Sequence, residues 1–159
     1  MRVSIICVGN EYQLDDGFGP AVARWLEACG ELPQGVDVLD RAVVGYGLVS
    51  DLRACDVAVV IDALDNTGKP AGTVLAFDPE DMATSTGMAS LHDVRLADVL
   101  ASARFLGATC EVSRCFGVQV ESLGDGTLAR GLSEPVATAV EPCARAVIDH
   151  VRDLLSSVV

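Results

Sequence analysis

Residues 57–63 read Val57-Ala58-Val59-Val60-Ile61-Asp62-Ala63, an apolar run that ends in a carboxylate. Short apolar runs rich in β-branched residues are typical of strands that are covered on both faces. A second run of this kind, Val3–Val8, lies near the beginning of the chain and leads into a loop that starts at Gly9-Asn10. The two runs therefore predict buried strands of an α/β protein.

Strand and helix patterns alternate around these two runs. We predict further strands over residues 36–44, 73–77 and 113–120, and helices over 20–29, 48–55, 94–106 and 135–155. Ser133 is placed to cap the last helix and Pro135 fits its first turn, whereas Pro142 predicts a kink or a break. The alternation indicates one domain, residues 1–159, with right-handed crossovers and helices on both faces of the sheet.

The charge balance excludes several classes of partner. The 159 residues include 11 Lys and Arg against 23 Asp and Glu, a formal net charge of −12. A phosphate backbone or an anionic membrane would be repelled, so we expect no nucleic-acid and no membrane partner. No apolar stretch approaches the roughly 18 residues of a membrane span, and the apolar start is interpreted as a strand and not as a signal peptide.

The six cysteines form no Cys-x-x-Cys motif. This pattern favours free thiols in a reducing compartment, so we expect a cytoplasmic protein without structural zinc or disulfides. Cys110 and Cys115 are the closest pair in the sequence, and we expect packing or surface roles for them.

Carboxylates follow two of the predicted strands. Asp15 and Asp16 stand in the glycine-rich turn before the first helix, and Asp62 ends the run quoted above. In doubly covered sheets, sites form outside the carboxyl ends of the strands, so these positions should share one edge. The alternatives are structural: either aspartate of the pair could cap the helix, and Asp62 could form an Asx turn.

His92 is the third candidate, an isolated histidine placed just before a predicted helix that it could also merely cap. Two aspartates and a histidine suit a divalent transition metal with coordination positions left open. The other histidine, His150, lies off the apolar face of the last helix and is expected to be solvated. The chain has no Gly-x-Ser-x-Gly, P-loop or dinucleotide fingerprint.

An ordered series of motifs along nearly the whole chain resembles the maturation endopeptidases of [NiFe]-hydrogenases. The series consists of Gly9-Asn10, Asp15-Asp16-Gly17-x-Gly19, Ile61-Asp62-Ala63, Gly72-Thr73-Val74, Ser90-Leu91-His92-Asp93, Gly117-Val118-Gln119 and Leu132-Ser133-x-Pro135-Val136. One stretch departs from the family pattern: Asp40 is followed by Arg41-Ala42-Val43-Val44-Gly45 where the family has a Gly-Thr-x-Gly-like turn. Asp40 could assist at the cleft or be a surface carboxylate.

The resemblance implies an α/β/α sandwich with a five-stranded, mostly parallel twisted sheet. It also implies an endopeptidase that removes the C-terminal extension of a hydrogenase large-subunit precursor after nickel insertion. We separately expect a monomer. Asp16, Asp62 and His92 are the residues expected to contact the nickel, which the precursor delivers and which could act as a Lewis acid. Two alternatives stay open: a metal-binding maturation chaperone that does not cut, and a phosphoacceptor receiver domain. The receiver domain needs a lysine after strand five, but Lys69 lies between strands three and four.

Overall fold

The structure is a computed structural model that describes residues 1–41, 46–79, 81, 89–90 and 96–157. Its sheet has the strand order β2-β1-β3-β6-β4, with β5 paired to the end of β3. The strands are β1 Val3–Val8, β2 Val36–Arg41, β3 Val57–Asp65, β4 Val74–Phe77, β5 Ala89–Ser90 and β6 Glu111–Gln119. Pairs involving β4 and β5 are antiparallel and the others are parallel. The predicted five-stranded, mostly parallel sheet is confirmed, with the two-residue β5 as an addition.

Two layers of helices cover the sheet. The helices are α1 Phe18–Cys29, α2 Tyr46–Ala54, α3 Leu96–Phe105 and α4 Glu134–Ser156. Helices α1 and α4 pack together on one face, and α2 and α3 pack on the other. Each face of the sheet packs into its own hydrophobic core, and side chains of β1 alternate between the two cores. Ile5 packs on the α1–α4 side and Ile6 on the α2–α3 side. None of the helices in the described part of the chain combines the length and apolarity of a membrane span.

Strand β3 is longer than predicted, and this corrects the position of Asp62. The sequence suggested a strand ending at Ile61, but β3 runs to Asp65. Its pairing with β1 stops at Ile61, whereas its pairing with β6 continues to Leu64 opposite Gln119. Asp62 therefore lies inside β3, one residue beyond the last residue pair with β1, because the ladder on the β6 side carries the strand onward.

The sequence predicted a kink or a break at Pro142, and of these the break is wrong, because the last helix runs through this residue. A proline inside a helix costs about 3 kcal/mol, and one buried aliphatic side chain contributes about 1.5–3 kcal/mol. Helix α4 buries seven residues along one stripe, Val136, Ala139, Cys143, Ala144, Val147, Ile148 and Val151. This burial outweighs the local cost of the proline.

The remaining bounds differ from the predictions at helix and strand ends. Helix α1 begins two residues earlier than predicted, at Phe18, after a short 3-10 helix over Leu14–Gly17. Residues 42–44 of the predicted second strand and residues 94–95 of the predicted third helix lie outside the described residues.

Candidate active site

Three carboxylates are buried in the described part of the chain: the predicted site residues Asp16 and Asp62, and Asp15, whose role the sequence left open. Asp15 is 0 %, Asp16 1 % and Asp62 6 % exposed. Burying a carboxylate costs several kcal/mol unless donors or a cation compensate for the lost water. The contacts of each aspartate therefore show how it is held and what it can do.

Asp15 joins three distant segments. Its Oδ2 accepts hydrogen bonds from the backbone N–H groups of Glu121 at 2.8 Å and Ser122 at 2.9 Å, and from Ser133 Oγ at 2.9 Å. Its Oδ1 accepts from Ser133 N at 2.6 Å. Of the alternatives left open for Asp15, capping of helix α1 does not occur, because these donors belong to the β6–α4 connection and to the start of α4. Asp15 is a structural anchor for the turn that carries Asp16.

Ser133 occupies the predicted N-cap position of α4, but no side-chain cap hydrogen bond is made there. Its hydroxyl donates to Asp15 instead. The sequence identified the position but not this partner, because the two residues lie 118 positions apart.

Asp16 lies where the turn folds back over the end of β1. Asn10 N donates to Asp16 Oδ2 at 2.9 Å, and Asp16 N donates to Gln13 O at 3.2 Å. Gly9 has φ +145°, and a Cβ there would lie 2.0 Å from the carbonyl oxygen of Asp16. The glycine therefore permits a close approach of two backbone segments, which fixes Asp16 against the sheet.

Leu14 begins the 3-10 helix with φ +50°. Bulky residues rarely adopt this left-handed conformation, which costs about 1–3 kcal/mol. Two backbone hydrogen bonds stabilise this conformation: Leu14 N donates to Ala129 O at 3.1 Å, and Asp15 N donates to Ser122 O at 3.2 Å. The turn is thus fixed by the segment that precedes α4.

Asp62 faces the same edge from the central strand. Its Oδ1 accepts from Ala63 N at 2.8 Å, and it lies in register with Gly117 of β6. By alternation it shares a face with Val60 and Leu64, which belong to the α2–α3 side. Cα atoms of the 3-10 helix lie within 8 Å of Cα atoms of β3. The structure thus brings the turn that carries Asp16 against the strand that carries Asp62.

The third predicted ligand, His92, lies outside the described residues. Within residues 1–41, 46–79, 81, 89–90 and 96–157, no group of three His, Cys, Asp or Glu side chains is arranged to hold a metal ion. Two members of the predicted set are therefore positioned, and the role of His92 stays a prediction. Asp40, the other candidate, is an exposed residue of β2, in register with Cys7.

His150 is half-buried, so the expectation of a solvated side chain is wrong. Its Nε2 lies 3.0 Å from Ser113 Oγ, and its ring packs edge-on against Phe116. Burial lowers the pKa of His150, and Arg114 lowers it further. Ser113 precedes Gly117 by four residues of β6, or roughly 13 Å along the strand, so this contact is distant from Asp62.

A cavity of about 420 Å³ adjoins the turn, and sequence reasoning missed it. Arg24 and Arg130 line it, and both form ion pairs with Glu11. The Arg130 guanidinium also stacks 4.9 Å above the Tyr12 ring. Gly17 lines the same cavity, which therefore begins one residue after Asp16. The charged side chains that line the cavity are two arginines and one glutamate, so the cavity carries a local positive charge in a chain of net charge −12.

The sheet has two helical layers, with buried carboxylates in the turn after β1 and in the second half of β3. These features define an α/β protein with an acidic site. Comparison with known proteins gives the family. A family model described as hydrogenase maturation protease matches residues 20–150, and the chain belongs to this family. It is therefore a hydrolase that acts on peptide bonds in hydrogenase maturation, and the receiver-domain alternative is wrong.

Individual relatives agree with this assignment. The Hydrogenase 2 maturation protease of Escherichia coli is 30% identical over 154 residues, which cover 96% of this chain and 92% of the relative. The hydrogenase expression/formation protein HoxM of Azotobacter vinelandii is 31% identical, covering 96% of this chain and 73% of its own. The solved structure of the hydrogenase maturating endopeptidase HybD from E. coli superposes with a TM-score of 0.81 at 30% identity, covering 96% of this chain and 93% of that one.

Proposed function

We propose that this chain removes the C-terminal extension of a [NiFe]-hydrogenase large-subunit precursor after nickel has been inserted. In this proposal Asp16, Asp62 and His92 contact the nickel ion that the precursor carries. The observation that supports it is the placement of two buried carboxylates, on the 3-10 helix and on β3, at one edge of the sheet. The cytoplasmic location and the monomeric state stay predictions.

The chemistry of these side chains fits an ion delivered by a substrate. Carboxylate oxygens and imidazole nitrogens are suitable ligands for a divalent transition metal. An ion next to the scissile bond can polarise the carbonyl or activate a water molecule, so no serine or cysteine nucleophile is required. The roles of the chain are then to bind the ion through Asp16, Asp62 and His92 and to hold Asp16 in place through Asp15.

The cavity next to Gly17 suits the peptide that flanks the cleavage site. It begins beside Asp16 and offers the exposed faces of Arg24 and Arg130. We expect Arg130→Ala to raise KM for the precursor with little change in kcat, because Arg130 would contact flanking peptide and not the ion. A fall in kcat at constant KM would contradict this role.

The central test is processing of a nickel-loaded precursor, followed by the size shift of the large subunit. Asp16→Asn and Asp62→Asn should each slow processing about 100-fold or more, since even the hydrogen-bond partners of metal ligands typically affect activity 10- to 100-fold. Asp149→Asn is the matched control, because this side chain is 76% exposed and remote from the site. Processing at the wild-type rate by both site variants would refute the assignment.

Dependence on nickel is tested in a separate experiment, which compares precursors prepared with and without nickel. Precursor prepared without nickel should not be cut by the wild-type protein, whereas equal cleavage of both precursors would refute recognition of the ion. The remaining alternative, a chaperone that binds metal without cutting, predicts tight binding of free nickel in a titration. A site completed by substrate predicts weak binding by the protein alone.

A further inference from the structure

Two cysteines far apart in the sequence meet at the end of the sheet opposite to the acidic site. Cys55 Sγ lies 3.1 Å from Cys110 Sγ, and both thiols are free. Cys55 lies between α2 and β3, and Cys110 immediately precedes β6. The two residues therefore sit at the amino ends of adjacent parallel strands.

The strand register explains why they meet. Val57 pairs with Glu111, and Glu111 N donates to Asp56 O at 3.1 Å. By this register Cys110 lies beside Asp56, the residue that follows Cys55. Neighbouring strands lie about 4.8 Å apart, within the range of Cα separations of about 4.4–6.8 Å that disulfides span. The backbone geometry is thus suited to a covalent link.

We propose that Cys55 and Cys110 form an oxidisable dithiol site that a small-molecule disulfide such as oxidised glutathione converts to an intramolecular disulfide. The Cys55 thiolate attacks one sulfur of the oxidant, which forms a mixed disulfide and releases one thiolate. The Cys110 thiolate then attacks the Cys55 sulfur, which forms the protein disulfide and releases the second thiolate. Two electrons pass to the oxidant, and the two protons of the protein thiols end on the released thiols.

The surroundings of the pair favour Cys55 as the attacking residue. The Cys110 and Ser4 side chains hydrogen-bond to its sulfur and lower the pKa of Cys55 to about 7, while the same contact and burial raise the pKa of Cys110. The two residues keep 5% and 9% of their surface exposed, whereas Cys7 and Cys143 are 0% exposed. The pair is therefore nearer to solvent than these two deeper thiols.

The disulfide would not disturb the acidic site directly. Asp62 lies five residues beyond Val57, or roughly 16 Å along β3. The link would instead close a loop of the chain that contains Asp62 and His92 in sequence. Its expected effect is to stabilise the folded state while the site remains intact.

The test oxidises the full chain with excess oxidised glutathione, then denatures it, alkylates it with N-ethylmaleimide and measures its mass. Cys55 and Cys110 should both escape alkylation without carrying glutathione, and digestion should give one peptide pair linked through these two residues. The oxidised protein should melt roughly 5 °C or more above the reduced protein, and dithiothreitol should reverse this shift.

Two variants test which cysteines react. Cys110→Ser should stop at a glutathione adduct on Cys55, and Cys29→Ser should still form the disulfide, because Cys29 lies elsewhere at the end of α1. Alkylation of all six cysteines in the oxidised wild-type protein would overturn the proposal. So would linked peptides dominated by other cysteines or by intermolecular bonds. The wild-type mass measurement decides the matter even where a variant folds poorly.

Discussion

Replacement of Asp15 should destabilise the whole fold, because this buried carboxylate in the short 3-10 helix holds two distant segments of the chain. Asp15→Ala leaves four donors without their acceptor: Glu121 N, Ser122 N, Ser133 N and Ser133 Oγ. A donor that loses its partner in a buried site costs about 1–3 kcal/mol. At the lower end of that range, which suits partly buried donors that water can reach, the four sum to about 4 kcal/mol.

Asp15→Asn removes only part of this acceptor set. Its amide oxygen can replace Oδ2, which accepts three of the four bonds, but its NH2 group then faces Ser133 N. One donor is left facing another donor, so we expect a loss of about 2 kcal/mol. The order of stability should be wild type, then Asp15→Asn, then Asp15→Ala.

The assay is urea unfolding followed by circular dichroism, with the free energies compared at equal slope. The exposed Asp149→Ala should change the free energy of unfolding by less than about 0.5 kcal/mol. A loss below about 1 kcal/mol for Asp15→Ala would refute the reasoning, because the four hydrogen bonds would then contribute little. An Asp15→Asn variant as stable as wild type would show that the second oxygen is not needed.

Three further predictions concern other parts of the molecule. Gly9→Ala should lower the free energy of unfolding by more than about 2 kcal/mol and abolish processing, because the new Cβ would lie 2.0 Å from the Asp16 carbonyl oxygen. The control Gly47→Ala has open space around the new Cβ and should be neutral or slightly stabilising in the same unfolding experiment. Burial lowers the pKa of His150 in the folded state below the ordinary histidine value of about 6.5, so the unfolded chain takes up a proton first as the pH falls. Stability should therefore fall as the pH drops through about 6.5, and His150→Gln should weaken this dependence. Burial, with smaller contributions from Asp62 and Asp78, raises the pKa of Cys115 to about 12, so iodoacetamide at pH 8 should modify half-buried Cys29 and spare Cys115 in the native protein; equal labelling would contradict this.

The regular elements were predictable because their signals are local. Apolar runs identified the strands, and Pro135 with Ser133 identified the start of the last helix. The positions of Asp16 and Asp62 at one edge followed from the rule for parallel sheets. The end of β3 was not predictable, because it depends on pairing with β6, more than fifty residues away. The break predicted at Pro142 was wrong for the same reason, since tertiary burial of α4 overrides a local helix breaker.

The contacts of charged and thiol side chains were the least predictable part of the structure. Asp15 looked like a helix cap because aspartates before helices usually are, and its true donors lie 106 to 118 positions later. Cys110 was considered beside its neighbour Cys115, but its partner in space is Cys55. In both cases the pairing is set by how the elements pack, which a motif in one segment does not contain.

The anchoring of Asp15 also determines when the site can form during synthesis. The first strand and the turn with Asp16 leave the ribosome early, but the donors that fix this turn come from Glu121, Ser122 and Ser133. Until Ser133 has emerged, Asp15 has no access to the Ser133 donors of its anchor. The acidic edge therefore acquires its final geometry only when nearly the whole chain has been made, so a nascent chain does not present a finished site.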